Sequence, residues 1–319
     1  MGFDEARWVW MNGTIVPWSG ATLHVSAHTL HYGSGVFEGI RCYETIDGPA
    51  IFRLREHLQR LVDSARFYDM EIPYTAEELE DGICELIQLN DFRDCYIRPL
   101  CYRGSRTLHL NPRACPVEVV VLAWPWDPFL NSGEKEKGVR ICVSPWRKFD
   151  SQMIPSTAKA CGQYINSILA VQDAERRGYD EALLLDADEC IAEGSGENLF
   201  LVRSGRLVTN DARHSILLGI TRDATVEIAN DLGIEVEIRA LMLDDLLSAD
   251  EAFFTGTAVE VVAIQELEGK RIGSAVPGQV TQRIQKAFRA VTSGRSEKYK
   301  HWLHPVQSPR VAALKKSAN

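Results

Sequence analysis

The chain has 319 residues, 45% of them hydrophobic and 25% charged, which is enough for a large core and, by length, for two domains rather than one. Its formal charge of -9 excludes a general nucleic-acid binder, because neutralising phosphates needs concentrated Lys and Arg, and points to a small-molecule substrate. No apolar run is long enough to span a bilayer, the acidic start MGFDEARWVWMNG is no secretory signal, and eight scattered cysteines without a CxxC pair fit reduced thiols in a cytoplasmic protein.

In WVWMNGTIVPW two strand-like runs flank Asn12-Gly13, the dipeptide that favours a tight hairpin turn, so the chain is expected to open as a β-hairpin. The sheet continues through VFEGIRCYET and AIFRL. Two amphipathic helices follow: REHLQRLVDSARF, with Leu58, Leu61, Val62 and Ala65 at helical spacing, and TAEELEDGICELIQLN, with a Thr cap and acids in its first turn. DCYIRPLCYRG and VEVVVLAWPW read as buried strands. The Pro- and Gly-punctuated WPWDPFLNSGEKEKG breaks the pattern. The predicted organisation is a small N-terminal domain over 1–125, a linker over 126–137 and a larger domain over 138–319. In the larger domain come the strand VRICVSPW, the helix YINSILAVQDAERRG, a hairpin over Glu181–Val208 and the helix TRDATVEIANDLG. The strands EVEIRA and EAFFTGTA and the helix QVTQRIQKAFRAVTSG complete it, and the polar, basic tail after Gly294 is expected to be partly mobile.

Between Ser151 and Gln172, Lys159 is the one residue among Asp, Glu, Lys, Arg and His. Burial penalises an ammonium, so a lysine in such a setting tends toward the neutral amine that forms a Schiff base with a carbonyl. A snorkelling lysine is the equal alternative on charge isolation alone. If Lys159 holds a carbonyl cofactor such as pyridoxal phosphate, the site needs an acid facing the pyridine nitrogen and donors around a phosphate. AEGSGENLF offers Glu193 and Glu197 in a Gly-rich turn, and an exposed acidic turn is the commoner use of such a pair. LLGITRDATVEIA places Gly219 before a helix opened by Thr221, whose first N–H groups suit an anion. FFTGTAVE offers backbone donors and the hydroxyls of Thr255 and Thr257 after a strand. Either is an ordinary cap by itself; two in the same domain as Lys159 favour a phosphate ligand.

HYGSGVFEG fails as a dinucleotide fingerprint because its glycines are spaced GxGxxxG, and no GxxxxGK[ST] occurs. His24, His28 and His31 repeat at i, i+4 and i+7, but without a nearby carboxylate they read as structural histidines, and no metal is expected.

SAHTLHYGSGVFEGIRCY, EHLQRL, YIRPL, AKACGQYINS, EGSGENLF, GITRD and TGTAVE together resemble the class IV aminotransferases, the fold-type IV pyridoxal-phosphate enzymes, most closely the branched-chain amino acid aminotransferases. The resemblance covers nearly the whole chain. It implies an α/β (α+β) fold with a small α/β N-terminal lobe and a larger lobe with a β-barrel-like core, assembled as a homodimer or higher oligomer. Lys159 then resembles the Schiff-base lysine and Glu193 the acid on the pyridine nitrogen. Arg60, Ile220, Thr221 and Thr257 resemble the phosphate site, and Tyr164 the tyrosine at the phenolic oxygen. Tyr96, Arg98, Thr257 and Ala258 resemble the group that receives the substrate carboxylate; Tyr32, Phe37, Gly39, Arg41, Leu110 and Trp126 resemble the walls of the side-chain pocket.

The implied reaction is transamination of L-leucine, L-isoleucine and L-valine with 2-oxoglutarate, served by small-molecule substrates alone. One departure bears on the substrate: the family's glycine-rich loop after YIRPL is replaced here by CYRGSRTLHLNPR, which brings Arg103, Arg106, His109 and Leu110. It leaves open a shifted keto-acid preference, or a related D-amino acid or (R)-amine transaminase or aminodeoxychorismate lyase. A catalytically silent binding protein on the same fold is the rival of another kind.

Overall fold

The computed structural model describes residues 6–126 and 138–307. Most of the expected 126–137 linker, and the tail from 308 on, lie outside the described residues. The chain forms two compact units, the first made of residues 6–126, 158–162 and 290–307 and the second of 138–157 and 163–289.

The first unit begins with β1 (Trp8–Met11) and β2 (Thr14–Pro17). Asn12 and Gly13 between them have φ of 48° and 85°, the left-handed pair that a two-residue hairpin turn requires. Next come α1 (His28–Tyr32), β3 (Gly35–Phe37), β4 (Ile40–Thr45) and β5 (Gly48–Phe52). α2 (Leu54–Arg66) buries Leu54, Leu58, Leu61 and Ala65, with His57 and Ser64 also buried. α3 (Ala76–Asn90) starts at Thr75 in a capping box: the Thr75 hydroxyl accepts from the Glu78 N–H, and the Glu78 carboxylate accepts from the Thr75 N–H. β6 (Cys95–Arg103) and β7 (Val117–Pro125) pair over their full length.

In the second unit, β8 (Val139–Val143), α4 (Tyr164–Arg176) and β9 (Glu181–Leu185) form a βαβ crossover with parallel strands, and Ala170 and Ala174 of the helix pack on Cys142, Ala182 and Leu184. The single hairpin expected over 181–208 is instead two. β9 pairs with β10 (Ile191–Gly194), and β11 (Asn198–Arg203) pairs with β12 (Arg206–Thr209), at separate places in the sheet. Two turn signals, Asp186–Glu189 and Ser204-Gly205, sit inside that stretch, and each closes its own hairpin. α5 (Ile220–Asp231), β13 (Val236–Ile238), α6 (Leu243–Leu247), β14 (Glu251–Gly256), β15 (Glu260–Leu267), β16 (Lys270–Arg271) and α7 (Gln279–Thr292) follow. β15 is a strand absent from the sequence-based expectation, because its Val and Ile run directly follows the TGTA turn. It is nonetheless central, pairing antiparallel with β14 and parallel with β8 in a curled, half-barrel sheet of order β10-β9-β8-β15-β14-β11-β12-β13.

β17 (Leu303–Pro305) returns to the first unit and completes its sheet, of order β17-β5-β4-β6-β7-β1-β2 with β3 on β6. Within the described part of the tail, Tyr299 and Trp302 are buried, and Phe52 meets Trp302 edge-on at 5.8 Å.

Candidate active site

The expected site residues fall into two groups, one in each unit. In the first unit, residues 158–162 are held as a short edge beside β3. Ala160 bridges Val36, the Phe37 N–H donates to the Lys159 carbonyl at 3.0 Å, and the Lys159 N–H donates to Ser64 Oγ at 3.0 Å. Gly33 permits the approach: its φ is 64°, and a Cβ there would stand 2.7 Å from Gly162 Cα. Lys159 Nζ lies 5.2 Å from the Phe37 ring centroid.

α2 brings up the charges. Glu38, fully buried, accepts from Arg60 Nε at 2.6 Å and Nη2 at 2.8 Å, and lies 2.8 Å from His57 Nδ1. Burial pushes the Glu38 carboxyl up, but the Arg60 charge and hydrogen bonds, with His57, outweigh it and hold the group below the usual carboxylate range. His57 is held below its usual value by burial, against the pull of Glu38.

Lys159 is half-buried as a residue, yet its amine is enclosed enough that burial is the main cause lowering its pKa to about 8. Arg60 adds to the effect and Glu38 opposes it. Against the ordinary 10.5, that raises the neutral fraction at neutral pH by roughly 300-fold. Reaction of Lys159 with a small amine-directed probe in the cofactor-free protein should therefore rise with pH about a midpoint near 8, read by mass spectrometry of the peptide. A midpoint near 10.5 would show an ordinary exposed lysine.

Around this amine stands an aromatic group with two cations, Arg98 and Arg41. Arg98 lies 4.7 Å from the Phe37 ring, 5.4 Å from Tyr96 and 5.9 Å from Trp124, and Tyr96 packs on Trp124 at 5.0 Å and Trp126 at 4.6 Å. Arg98 Nε and Trp126 Nε1 are buried donors with no hydrogen-bond partner among the described residues, as expected of groups that await a ligand. Arg41 is buried, pairs with Asp94 at 2.8 Å and lies 5.6 Å from Trp126.

At Gly39 an added Cβ would stand 1.9 Å from the Tyr96 hydroxyl. Gly39→Ala should therefore displace the phenol and lower kcat/KM by roughly 10²-fold while the fold survives. Steady-state kinetics beside a thermal melt checks this; unchanged kinetics would remove Tyr96 from the site.

Tyr32, the last residue of α1, instead meets the 105–110 loop, to which Leu110 belongs. The Tyr32 hydroxyl donates to the Leu108 carbonyl at 3.0 Å, and Leu110 is 81% exposed. Arg103, counted in the sequence among the residues that bear on substrate choice, is structural: it is buried and donates to the carbonyls of Cys115 at 3.1 Å and Asp69 at 2.5 Å. His28 is also fixed locally, by Ser34 Oγ at 2.7 Å and the His109 carbonyl at 3.0 Å.

In the second unit, Glu193 on β10 is buried and held at three points. Its Oε1 pairs with Lys148 Nζ at 2.7 Å, and its Oε2 accepts from Asn198 Nδ2 at 3.2 Å and from the Leu217 N–H at 2.9 Å. Ile220 and Thr221 open α5 behind Gly219, which caps without a side chain. A Cβ at Gly219 would stand 2.1 Å from Asn198 Oδ1. Thr257 and Ala258 occupy the β14–β15 turn, beside Thr255, whose buried hydroxyl has no partner among the described residues. Tyr164 is the first residue of α4.

In the first unit a lysine with a lowered pKa stands beside a paired arginine, and in the second a clamped carboxylate and a helix start that no side chain caps are found; each taken by itself is a group of the type that a phosphorylated carbonyl cofactor requires. Glu38, His57, Lys148 and Asn198 escaped the sequence reading. His57 left a trace, being a polar residue between the apolar positions of α2; Lys148 and Asn198 left none.

Residues 35–267 match the family model described as amino-transferase class IV. The chain is 41% identical over 309 residues to the branched-chain-amino-acid aminotransferase of Salmonella typhimurium, covering 97% of this chain and 100% of that one. With the protein of the same name from Escherichia coli K12 the identity is 42% over 307 residues, covering 96% and 99%. The crystal structure of the T.th. branched-chain amino acid aminotransferase with pyridoxamine 5'-phosphate superposes with a TM-score of 0.91 at 45% identity, covering 95% and 99%. That of the Escherichia coli enzyme superposes with 0.92 at 41% identity, covering 95% and 100%.

Proposed function

This chain belongs to the class IV aminotransferases, and from that premise we propose that it is a pyridoxal-phosphate-dependent transaminase of L-leucine, L-isoleucine and L-valine, with 2-oxoglutarate as acceptor. The observation that carries the chemistry is the Lys159 amine, lowered to about 8 beside the Glu38–Arg60 pair. Bound pyridoxal phosphate supplies a carbonyl for amines and a ring that draws electrons from the substrate Cα.

The residues do the rest. Lys159 Nζ would hold the cofactor and, as a free amine, would take the proton from the substrate Cα. Arg60, Thr257 and the N–H groups of Ile220 and Thr221 would bind its phosphate. Glu193, kept in place by Lys148, Asn198 and Leu217, would pair with its ring nitrogen, and Tyr164 would contact its phenolic oxygen. Tyr96, Arg98, Thr257 and Ala258 receive the α-carboxylate. Phe37, Gly39, Arg41 and Trp126, with Tyr32 at the end of α1 and Leu110 in the 105–110 loop, would form the side-chain pocket. Because Tyr32 and Leu110 are exposed, a second copy of the chain is the partner that would enclose that pocket, in a homodimer or larger assembly. No helix among the described residues is long and apolar enough to cross a membrane. The small, charged substrates of the proposed reaction suit a cytoplasmic place of work.

A donor panel at fixed 2-oxoglutarate tests the substrate. The three L-branched-chain amino acids should turn over at least about tenfold faster than D-alanine or an (R)-amine. The reverse order would move the chain to another activity in the family, with the exposed Arg106 and His109 as the first residues to exchange.

A further inference from the structure

Within the second unit, Asp186, Cys190 and His214 bring a carboxylate oxygen, a thiol sulfur and an imidazole nitrogen within 4.8 Å of one another. Two independent pieces of backbone set this up. Asp186 and Cys190 bracket a tight turn: Asp186 Oδ1 accepts from the N–H groups of Asp188 at 3.0 Å and Cys190 at 2.9 Å, and the Asp186 N–H donates to the Cys190 carbonyl at 2.8 Å. His214 ends a short 3-10 turn that Asp211 caps, and its Nδ1 lies 2.9 Å from Asp186 Oδ2. The sulfur of Met242 lies 3.6 Å from Cys190 Sγ and lines the same spot.

An Asp–His hydrogen bond explains two of these side chains, and the weak S–H contact with Met242 leaves the thiol sulfur free to serve as a ligand. One sulfur, one imidazole and one carboxylate are the ligand types zinc takes, and tetrahedral coordination needs its ligands roughly 3.3–3.7 Å apart, within reach of small side-chain shifts here. We propose that Asp186, Cys190 and His214 form a zinc site, with water in the fourth position, that ties the β9–β10 turn to the segment before α5. On binding, the Cys190 S–H bond breaks and a Zn–S bond forms, with the proton released to water; the imidazole proton moves from Nδ1 to Nε2 as Nδ1 takes the metal. The consequence reaches the candidate active site through the chain itself: three residues after His214, the Leu217 N–H holds Glu193. A metal clip at His214 would steady that donor.

The test uses the full-length, cofactor-loaded protein, stripped with a chelator, incubated with Zn²⁺ alone and desalted. Parent protein should retain about one zinc per chain, and Cys190→Ser and His214→Ala each at least about tenfold less, with all three giving the same circular dichroism. Loading with Co²⁺ gives a second reading, independent of retention. Its long-wavelength d–d bands, clear of cofactor absorption, should be intense in the parent and collapse toward the weak octahedral form in Cys190→Ser. No metal retained by the parent, or equal retention in parent and both variants, would overturn the proposal.

Discussion

Lys159→Ala should abolish transamination, with kcat falling by at least roughly 10⁴-fold, and should remove the visible band of the lysine-bound cofactor. The loss is large because in the proposed reaction one nitrogen serves twice, as the anchor for the carbonyl and as the base at the substrate Cα. Folding should be spared, since the backbone of residue 159 makes the bonds that seat the segment, to Phe37 and to Ser64. Lys159→Arg separates charge from chemistry: it keeps the cation and should be as inactive as the alanine variant. The amine's lowered pKa also carries a stability signature. Between about 8 and 10.5 the unfolded chain still binds a proton that the folded chain has released, so this group's contribution to stability increases as the pH rises through that window. A Lys159→Ala protein that retains the visible band would exclude Lys159 as the anchor.

Glu38→Ala should be the costliest single substitution to the fold, at about 3 kcal/mol or more. It strips the counter-ion from Arg60, whose side chain is 15% exposed, and the hydrogen-bond partner from a fully buried His57, leaving one largely buried cation and one buried ring nitrogen without that carboxylate. Glu38→Gln keeps the shape and part of the hydrogen bonding, and should cost less. Because the folded carboxyl lies below its ordinary 4.5, its contribution is present above that pH and is lost as the pH falls toward the folded value. Urea midpoints for the parent and both variants at neutral and acid pH read this directly. Equal midpoints at neutral pH would mean that the Glu38–Arg60 pair contributes nothing net.

Local chemistry made much of this molecule readable in advance. Asn12-Gly13 wrote its own turn, Thr75 and Glu78 their own cap, and the charge isolation of Lys159 followed from a setting that penalises an ammonium. Non-local structure was not readable. β15 belongs to the sheet because β8 and β14 lie on either side of it, and β17 because β5 offers it an edge. The same division runs through the site. Lys159 stands out by its charge isolation and Arg60 by the family resemblance of EHLQRL, whereas Glu38 gains its meaning only when α2 turns Arg60 and His57 onto it, 22 and 19 residues along the chain. Lys148 reaches Glu193 across the sheet of the second unit, a pairing that only the folded chain reveals.

In the proposed function, Lys159 and its surroundings run amino transfer from L-branched-chain substrates. Half-reaction spectroscopy on the cofactor-loaded parent protein tests it most directly. L-leucine alone, without acceptor, should bleach the visible cofactor band in a single turnover, and 2-oxoglutarate should then restore it. A band that L-leucine, L-isoleucine and L-valine all leave untouched, while a D-amino acid or an (R)-amine bleaches it, would contradict the account.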